Sequence, residues 1–382
     1  LSVPPMKPKK LPSPGSASAV SLPSALLLPL LALLAVLSLV AATFALDHIL
    51  RSTGLPGAAS SSHAAPAAPP PRFAVVINTY KRPKLLAAVV AHYAATCGPR
   101  FGATHVFVVW SELDVAPPTP RSFALPEHPP PANVTVLRKT RNSLNSRFDP
   151  IPDGTGVDAV FMVDDDMRVA CPALADGARA WAAFPDTMAG YYPRLAAPVG
   201  GISAKKGDDN DQNTSSSLAY LGPRAVFSRR GRFNFVLTKA AFLHAKYLAL
   251  YSDPAGPNPP AIRAHVDAHK NCEDIAMAML VANATAPDLF PVYVEGELTD
   301  VGHVGGISAS PRHGSVRSEC LEKFAAEYRK RGWEFPLRHA VPLRERAWVR
   351  HWPGFWWQYR QNGAWSWQHL WKLLPQNRVA RG

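Results

Sequence analysis

Apolar and polar positions divide the chain into stretches of different character. Leu22 to Leu46 is almost wholly apolar over 25 residues, interrupted only by Pro23, Ser24, Pro29, Ser38 and Thr43. A helix of that length spans the ~30 Å hydrocarbon core with some tilt. Lys7, Lys9 and Lys10 lie before it and Asp47 follows. The positive-inside rule therefore makes residues 1–21 a cytosolic arm and puts the remainder across the membrane. A cleaved signal peptide is the rival, but its apolar region is only about 7–15 residues long. Residues 47–72, rich in Ala, Ser and Pro and without periodicity, read as a semi-flexible stem.

From Phe73 onward short β-branched runs alternate with helical patterns. Phe73–Asn78, His105–Trp110, Asn133–Leu137 and Asp158–Val163 read as strands. Leu85–Ala95 and Pro172–Phe184 read as helices, the second from Leu174, Ala178, Trp181 and Ala182 at helical spacing. Strands alternating with helices define an α/β domain with a parallel sheet covered on both faces. Ligands in such sheets bind beyond the carboxyl ends of the strands. The Thr79–Arg82 loop and the triplet Asp164-Asp165-Asp166 both fall there. Farther along, 200–217 is a Gly-, Asp- and Asn-rich loop and Phe233–Leu237 a short strand. Lys239–Tyr251 reads as a helix, Ser252–Pro260 as a loop, and Asn271–Asp274 opens a helix through Ile275–Ala282. No internal repeat is present.

Charge and cysteine content narrow the function classes. The net charge is +13, but the last 62 residues hold 12 basic and 4 acidic positions, so +8 of it sits in the tail. The main domain is close to balanced, which argues against a nucleic-acid groove running through it. Four cysteines with no CxxC pair make neither a disulfide scaffold nor a structural zinc site. Cys272 and Cys320 could bridge in an oxidising compartment; whether Cys97 and Cys171 join is open. Eight of the ten tryptophans follow Gly332. With Arg344, Arg346, Arg350 and Arg360 they fit a stacking surface, a membrane-interface segment, or aromatics packed on the domain.

The acidic triplet is the strongest local chemical signal. Adjacent carboxylates repel, and a cation that neutralises them makes their folding together favourable. Hard oxygens at a strand end suit Mn²⁺ or Mg²⁺, with a nucleotide pyrophosphate completing the shell; a solvated acidic turn is the plain alternative. Arg82 and the stretch Arg141–Arg147 offer guanidiniums and amides for phosphate, base or ribose. Glu273-Asp274 at a helix start would serve as favourable first-turn carboxylates, or Asp274 as a buried carboxylate facing a sugar.

Taken in order, FAVVINTYKRPKLL, VVW, NSLNSRF, VFMVDDDM, FPDTMAGYYPR and NCEDIAMAMLVANAT resemble the exostosin-like glycosyltransferases of family 64. The likeness is greatest to the plant branch that includes glycosyl-inositol-phosphoceramide mannosyltransferases, and it runs from Phe73 to about Pro342. It implies a GT-A fold, a Rossmann-like mixed sheet with helices on both faces. It also implies a metal-dependent nucleotide-sugar donor and transfer with retention of configuration. In that frame Thr79, Arg82, Asn142, Arg147, Asp164 and Asp165 bind the donor, and Asp166 with Asp164 holds Mn²⁺ or Mg²⁺. Asp274 lies by the donor sugar and Arg317 at the pyrophosphate, both with catalytic roles. Cys272 and Cys320 match a family disulfide. Ser111 stands where animal members have Asn, and residues 200–230 and the tail have no recognised counterpart.

The resulting expectation is a Golgi single-pass type II glycosyltransferase with a lumenal domain at 73–342 and a basic Trp-rich extension at 343–382. Its donor would be GDP-mannose or a UDP-N-acetylhexosamine, and its acceptor a glycan or glycolipid such as a sphingolipid headgroup. Sequons at Asn133, Asn213 and Asn283 fit a lumenal location. A membrane-tethered, lectin-like binding protein is the alternative; a binding module has no need of both the acidic triplet and Asp274.

Overall fold

A computed structural model describes residues 69–199, 217–227, 231–301 and 313–343, with Ser38 as an isolated position. The apolar run Leu22–Leu46, most of the stem, Asn213 and the Trp-rich tail lie outside the described residues. Among the described residues no helix is long and apolar enough to cross a membrane.

Four neighbouring strands pair in parallel: β1 (Phe73–Thr79), β2 (Ala103–Trp110), β3 (Asn133–Arg138) and β4 (Ala159–Asp164); Val292–Tyr293 also pairs in parallel with Ala189–Gly190. The seven-stranded order is Val292–Tyr293, Ala189–Gly190, Ala240–His244, β4, β1, β2, β3. β1 pairs in parallel with both β2 and β4, and Ala240–His244 pairs antiparallel with β4. In β1, Ala74 and Val76 belong to one core while Phe73, Val75 and Ile77 belong to the other. Both faces are thus buried, which is why the strand reads as a continuous apolar run rather than an alternation. One core takes helices Pro83–Ala91 and Cys171–Ala183; the other takes Lys246–Ser252, Pro260–His269, Glu273–Ala284 and His313–Lys330. The mixed α/β sheet with helices on both faces is the architecture expected from the sequence.

The chain proceeds from β1 outward through β2 and β3, then returns to lay β4 on the opposite flank of β1. The carboxyl ends of β1 and β4 therefore bound the crevice where strand order reverses, the place where ligands bind in open α/β sheets. Helix Cys171–Ala183 lies close on the sheet at Gly177, where a Cβ would stand 2.3 Å from the Tyr191 hydroxyl oxygen and 2.8 Å from a Phe242 ring carbon. Disulfides join Cys97 to Cys171 and Cys272 to Cys320.

One expected element is different. Lys239–Tyr251 is not a single helix: Ala240–His244 is an inner strand beside β4, and helix begins only at Lys246. A short apolar run such as AAFLH satisfies either pattern, and the open hydrogen-bonding edge of β4 decides it. The loop expected at Ser252–Pro260 runs into a helix, Pro260–His269.

Candidate functional site

β4 ends on Asp164, and Asp165 and Asp166 turn the chain into Met167–Val169, which pairs antiparallel with Leu298–Asp300. Asn78 and Asp164 stand opposite each other in the β1–β4 register, so Thr79 and Arg82 fall beside the triplet. Thr79 donates its hydroxyl to Asp165 Oδ2 at 2.8 Å. Arg82 reaches Asp165 at 3.1 Å and Asp166 at 2.8 Å with the same Nη1. Arg147, only 2% exposed, pairs with Asp164 at 2.8 Å and with Glu273 at 3.4 Å, and donates to the Thr238 carbonyl at 2.9 Å. The expectation that the triplet is neutralised by a bound cation is thereby refined: the protein's own guanidiniums already face all three carboxylates.

Their environment is nonetheless demanding. Burial, reinforced by Asp166 and Asp164, pushes the Asp165 carboxyl up to about 6 against the opposing pull of Thr79 and Arg82. Burial also holds Asp164 above the usual carboxylate range despite Arg147. Burial and then the adjacent Asp274 push Glu273 up to about 7.

The NSLNSRF stretch folds as a 3₁₀ turn, Leu144–Phe148, with Ser143 Oγ accepting from Asn145 N at 3.0 Å. Asn145 is fully engaged: its amide donates to the Arg263 carbonyl and to Asp267, both at 2.9 Å, and its oxygen accepts from Tyr251 at 2.6 Å. This packing aims Arg147 inward, toward Asp164 and Glu273. Asn142 is exposed, and its carbonyl accepts from Lys270.

Asp274 and Arg317, from separate helices, form a buried ion pair at 2.5 Å. Burial alone would lower the Arg317 pKa, but Asp274 more than offsets it and the guanidinium is held firmly charged. Arg317 also donates to the Tyr220 hydroxyl at 3.0 Å, and Arg194 donates to the same oxygen at 2.9 Å. The Cys272–Cys320 bridge ties the two helices together, with Cys272 directly before Glu273 and Cys320 one turn beyond Arg317. Asp274 is a first-turn residue of Glu273–Ala284, while Cys272 at the N-cap makes no side-chain cap.

Several participants carried no local sequence signal. Lys239 pairs with Asp300 at 2.7 Å, and Tyr192 donates to the same carboxylate at 3.1 Å. Burial lowers the Lys239 pKa, but Asp300, Asp166 and Asp164 together raise it further. Tyr192 and Arg194 lie in the FPDTMAGYYPR string, but only the pairing of Met167–Val169 with Leu298–Asp300 brings Asp300 to the triplet.

The donor set can accept a hard divalent cation. Asp166 Oδ1 is buried without a hydrogen-bond partner among the described residues, an oxygen suited to such an ion. The three aspartates do not converge as a cage. Among the described residues only His92, Cys97 and Cys171 cluster as a ligand-type trio, and those sulfurs form a disulfide. An ion at Asp166 would take few protein oxygens and leave positions for phosphate. Of the sequons, Asn133 is exposed at the start of edge strand β3, and Asn283 is half-buried in a helix.

A mixed α/β sheet with carboxylates and guanidiniums gathered at its switch point places charged groups suited to a phosphate-bearing ligand where such sheets bind ligands. The chain belongs to glycosyl transferase family 64, whose domain model matches residues 73–339. It is 34% identical over 287 residues to glycosylinositol phosphorylceramide mannosyl transferase 1 of Arabidopsis thaliana, covering 71% of this chain and 77% of that one. It is 29% identical over 278 residues to exostosin-like 2 of Homo sapiens, covering 70% and 75%. Glucosamine inositolphosphorylceramide transferase 1 of Oryza sativa subsp. japonica is 28% identical over 283 residues, 72% of this chain but 33% of that longer protein.

Proposed function

We propose that this family 64 glycosyltransferase is a metal-dependent enzyme of the GT-A type. It moves a hexose or N-acetylhexosamine from a nucleotide sugar, GDP-mannose or a UDP-N-acetylhexosamine, to a glycan or sphingolipid headgroup with retention of configuration. The observation that carries the reading is Asp166. Its buried, unpartnered oxygen sits at the switch point between the Arg82 and Arg147 ion pairs, with the Asp274–Arg317 pair linked to the same network through Glu273. Asp166 and Asp164 would hold a Mn²⁺ or Mg²⁺, whose positive charge would stabilise the leaving diphosphate. Thr79 and Arg82 fix Asp165 at the end of β1, so the triplet is pre-set before donor arrives. Half-buried Arg82 and exposed Asn142 are the donor-facing candidates, and Arg147 acts from beneath them through its ion pair with Asp164.

In the reaction the bond from the anomeric carbon to the diphosphate breaks, its electron pair staying on phosphate oxygen, while an acceptor hydroxyl oxygen bonds the same carbon and passes its proton to the departing diphosphate. Arg317 holds the Asp274 carboxylate in place, and that group is positioned to stabilise positive charge developing at the anomeric carbon. The apolar run at 22–46 read as an anchor, with a stem at 47–72, a catalytic domain at 73–342 and a tail at 343–382, supports a type II orientation in the Golgi membrane with the domain facing the lumen. Glycan on Asn133 or Asn213 accords with that orientation. The likeness to an inositol phosphorylceramide mannosyl transferase and a glucosamine inositolphosphorylceramide transferase supports an inositol phosphorylceramide acceptor, and the first of them supports a mannose donor.

The decisive experiment measures Mn²⁺-dependent nucleotide binding by calorimetry on the purified full chain and on Asp166→Ala. The variant should lose metal-dependent binding while melting as a folded protein. Unchanged metal-dependent binding would remove Asp166 from the site.

A further inference from the structure

The proposed donor is linear, running base, ribose, diphosphate, sugar. The triplet occupies the β1–β4 crevice, and the route from Asp164 through Arg147 and Glu273 to Asp274 passes Thr238, at the start of the strand beyond β4. With the sugar on that side, the base lies on the other, over the ends of β1 and β2.

There the chain leaves β2 at Trp110 and turns through 111–115, closed by the Trp110 indole donating to the Val115 carbonyl at 3.2 Å. Glu112 is held in this turn at 9% exposure and has no ion-pair partner among the described residues. One of its oxygens accepts from the Lys81 amide at 2.7 Å. Lys81 adopts φ 58°, a left-handed conformation unfavourable for a side-chain-bearing residue, and in it presents that N–H to Glu112. The second carboxylate oxygen has no donor among the described residues. Beside it, Ser111 is 4% exposed and its hydroxyl is buried without a partner. Tyr80, Leu113 and Val115 are exposed at 42%, 43% and 50%, which gives apolar surface at the same rim.

A fixed carboxylate and an unpartnered hydroxyl flanked by apolar surface match a planar base with adjacent N–H donors. Guanine offers its ring N1–H and exocyclic amino group side by side, the pattern one carboxylate accepts in bidentate fashion. Uracil offers one N–H between two carbonyl oxygens, which a carboxylate repels. We infer that Glu112 reads the donor base and selects a guanine nucleotide over a uracil one, so that the donor is a GDP-sugar. This inference rests on the donor-site reading above.

The test is calorimetry on the purified full chain with Mn²⁺ and GDP, IDP or UDP; IDP lacks only the exocyclic amino group of guanine. GDP should bind about tenfold or more tighter than IDP, the scale of one charge-assisted hydrogen bond, and tighter still than UDP. In Glu112→Gln the GDP-to-IDP ratio should fall to within about threefold, with a thermal melt alongside to show the fold intact. UDP binding as tightly as GDP, or a GDP-to-IDP ratio unchanged in folded Glu112→Gln, overturns the inference and returns Glu112 to a brace for Lys81. If that variant does not fold, the wild-type GDP-to-IDP ratio decides alone. Loss of all nucleotide binding in the wild type overturns the donor site and the inference together. A GDP preference without transfer to any acceptor sinks only the transferase reading.

Discussion

The Asp274–Arg317 pair allows stability and catalysis to be separated, because each partner alone is costly to leave buried. The two side chains are 7% and 6% exposed and 2.5 Å apart. Asp274→Asn keeps the shape but leaves the Arg317 charge without its carboxylate, and Arg317→Gln leaves the buried Asp274 carboxyl without its guanidinium. Breaking a buried pair in this way destabilises by about 3–5 kcal/mol, whereas replacing both members is often near neutral. The double variant should therefore melt in urea within about 1–2 kcal/mol of wild type. Turnover should behave differently. If Asp274 stabilises charge developing at the anomeric carbon, kcat falls by about two to four orders of magnitude in Asp274→Asn and stays low in the double variant. Donor affinity should change by less than about tenfold, since the group acts in the transition state. The assay is donor-to-acceptor transfer by the purified full chain in Mn²⁺, with calorimetric donor binding and urea melts on the same preparations. Recovery of kcat together with stability in the double variant would show that the pair only holds two helices together.

Other outcomes follow from the same geometry. Glu273, pushed up to about 7 by burial and Asp274, binds its proton more tightly folded than unfolded, so its contribution makes the fold less stable as pH rises from about 4.5 to about 7; Glu273→Gln should flatten that part of a stability–pH curve, and an unchanged slope refutes the assignment. Removing the Cys272–Cys320 bridge, which closes a separation of 48, should cost about 4 kcal/mol by the chain-entropy model. Chemical denaturation of the Cys272→Ala/Cys320→Ala chain checks this, and lowered transfer should accompany it because the bridge sets Asp274 against Arg317. Gly177→Ala, whose new methyl group would press on Tyr191 and Phe242, should cost about 1–3 kcal/mol in a thermal melt; a neutral result would mean the helix can shift off the sheet.

Period and composition alone identify β1 to β4, three helices that pack on them (Pro83–Ala91, Cys171–Ala183 and Glu273–Ala284) and the acidic triplet at a strand end. These are local patterns: both-face burial requires unbroken apolar runs, and charge is tolerated only where such a run stops. The family was legible because several short strings occur in one order. Partnership was not. From sequence Arg147 is an expected donor contact; in the fold its side chain lies at 2% exposure between Asp164 and Glu273, a placement fixed by the packing of Asn145 against helix Pro260–His269. Ala240–His244 became a strand because β4 offered it an edge, and Lys239 met Asp300 because two short strands paired across more than a hundred residues. Sequence determines which segments must be buried and where charge must surface. Which buried charge faces which depends on contacts between residues far apart in the chain, and those exist only once the sheet order is set.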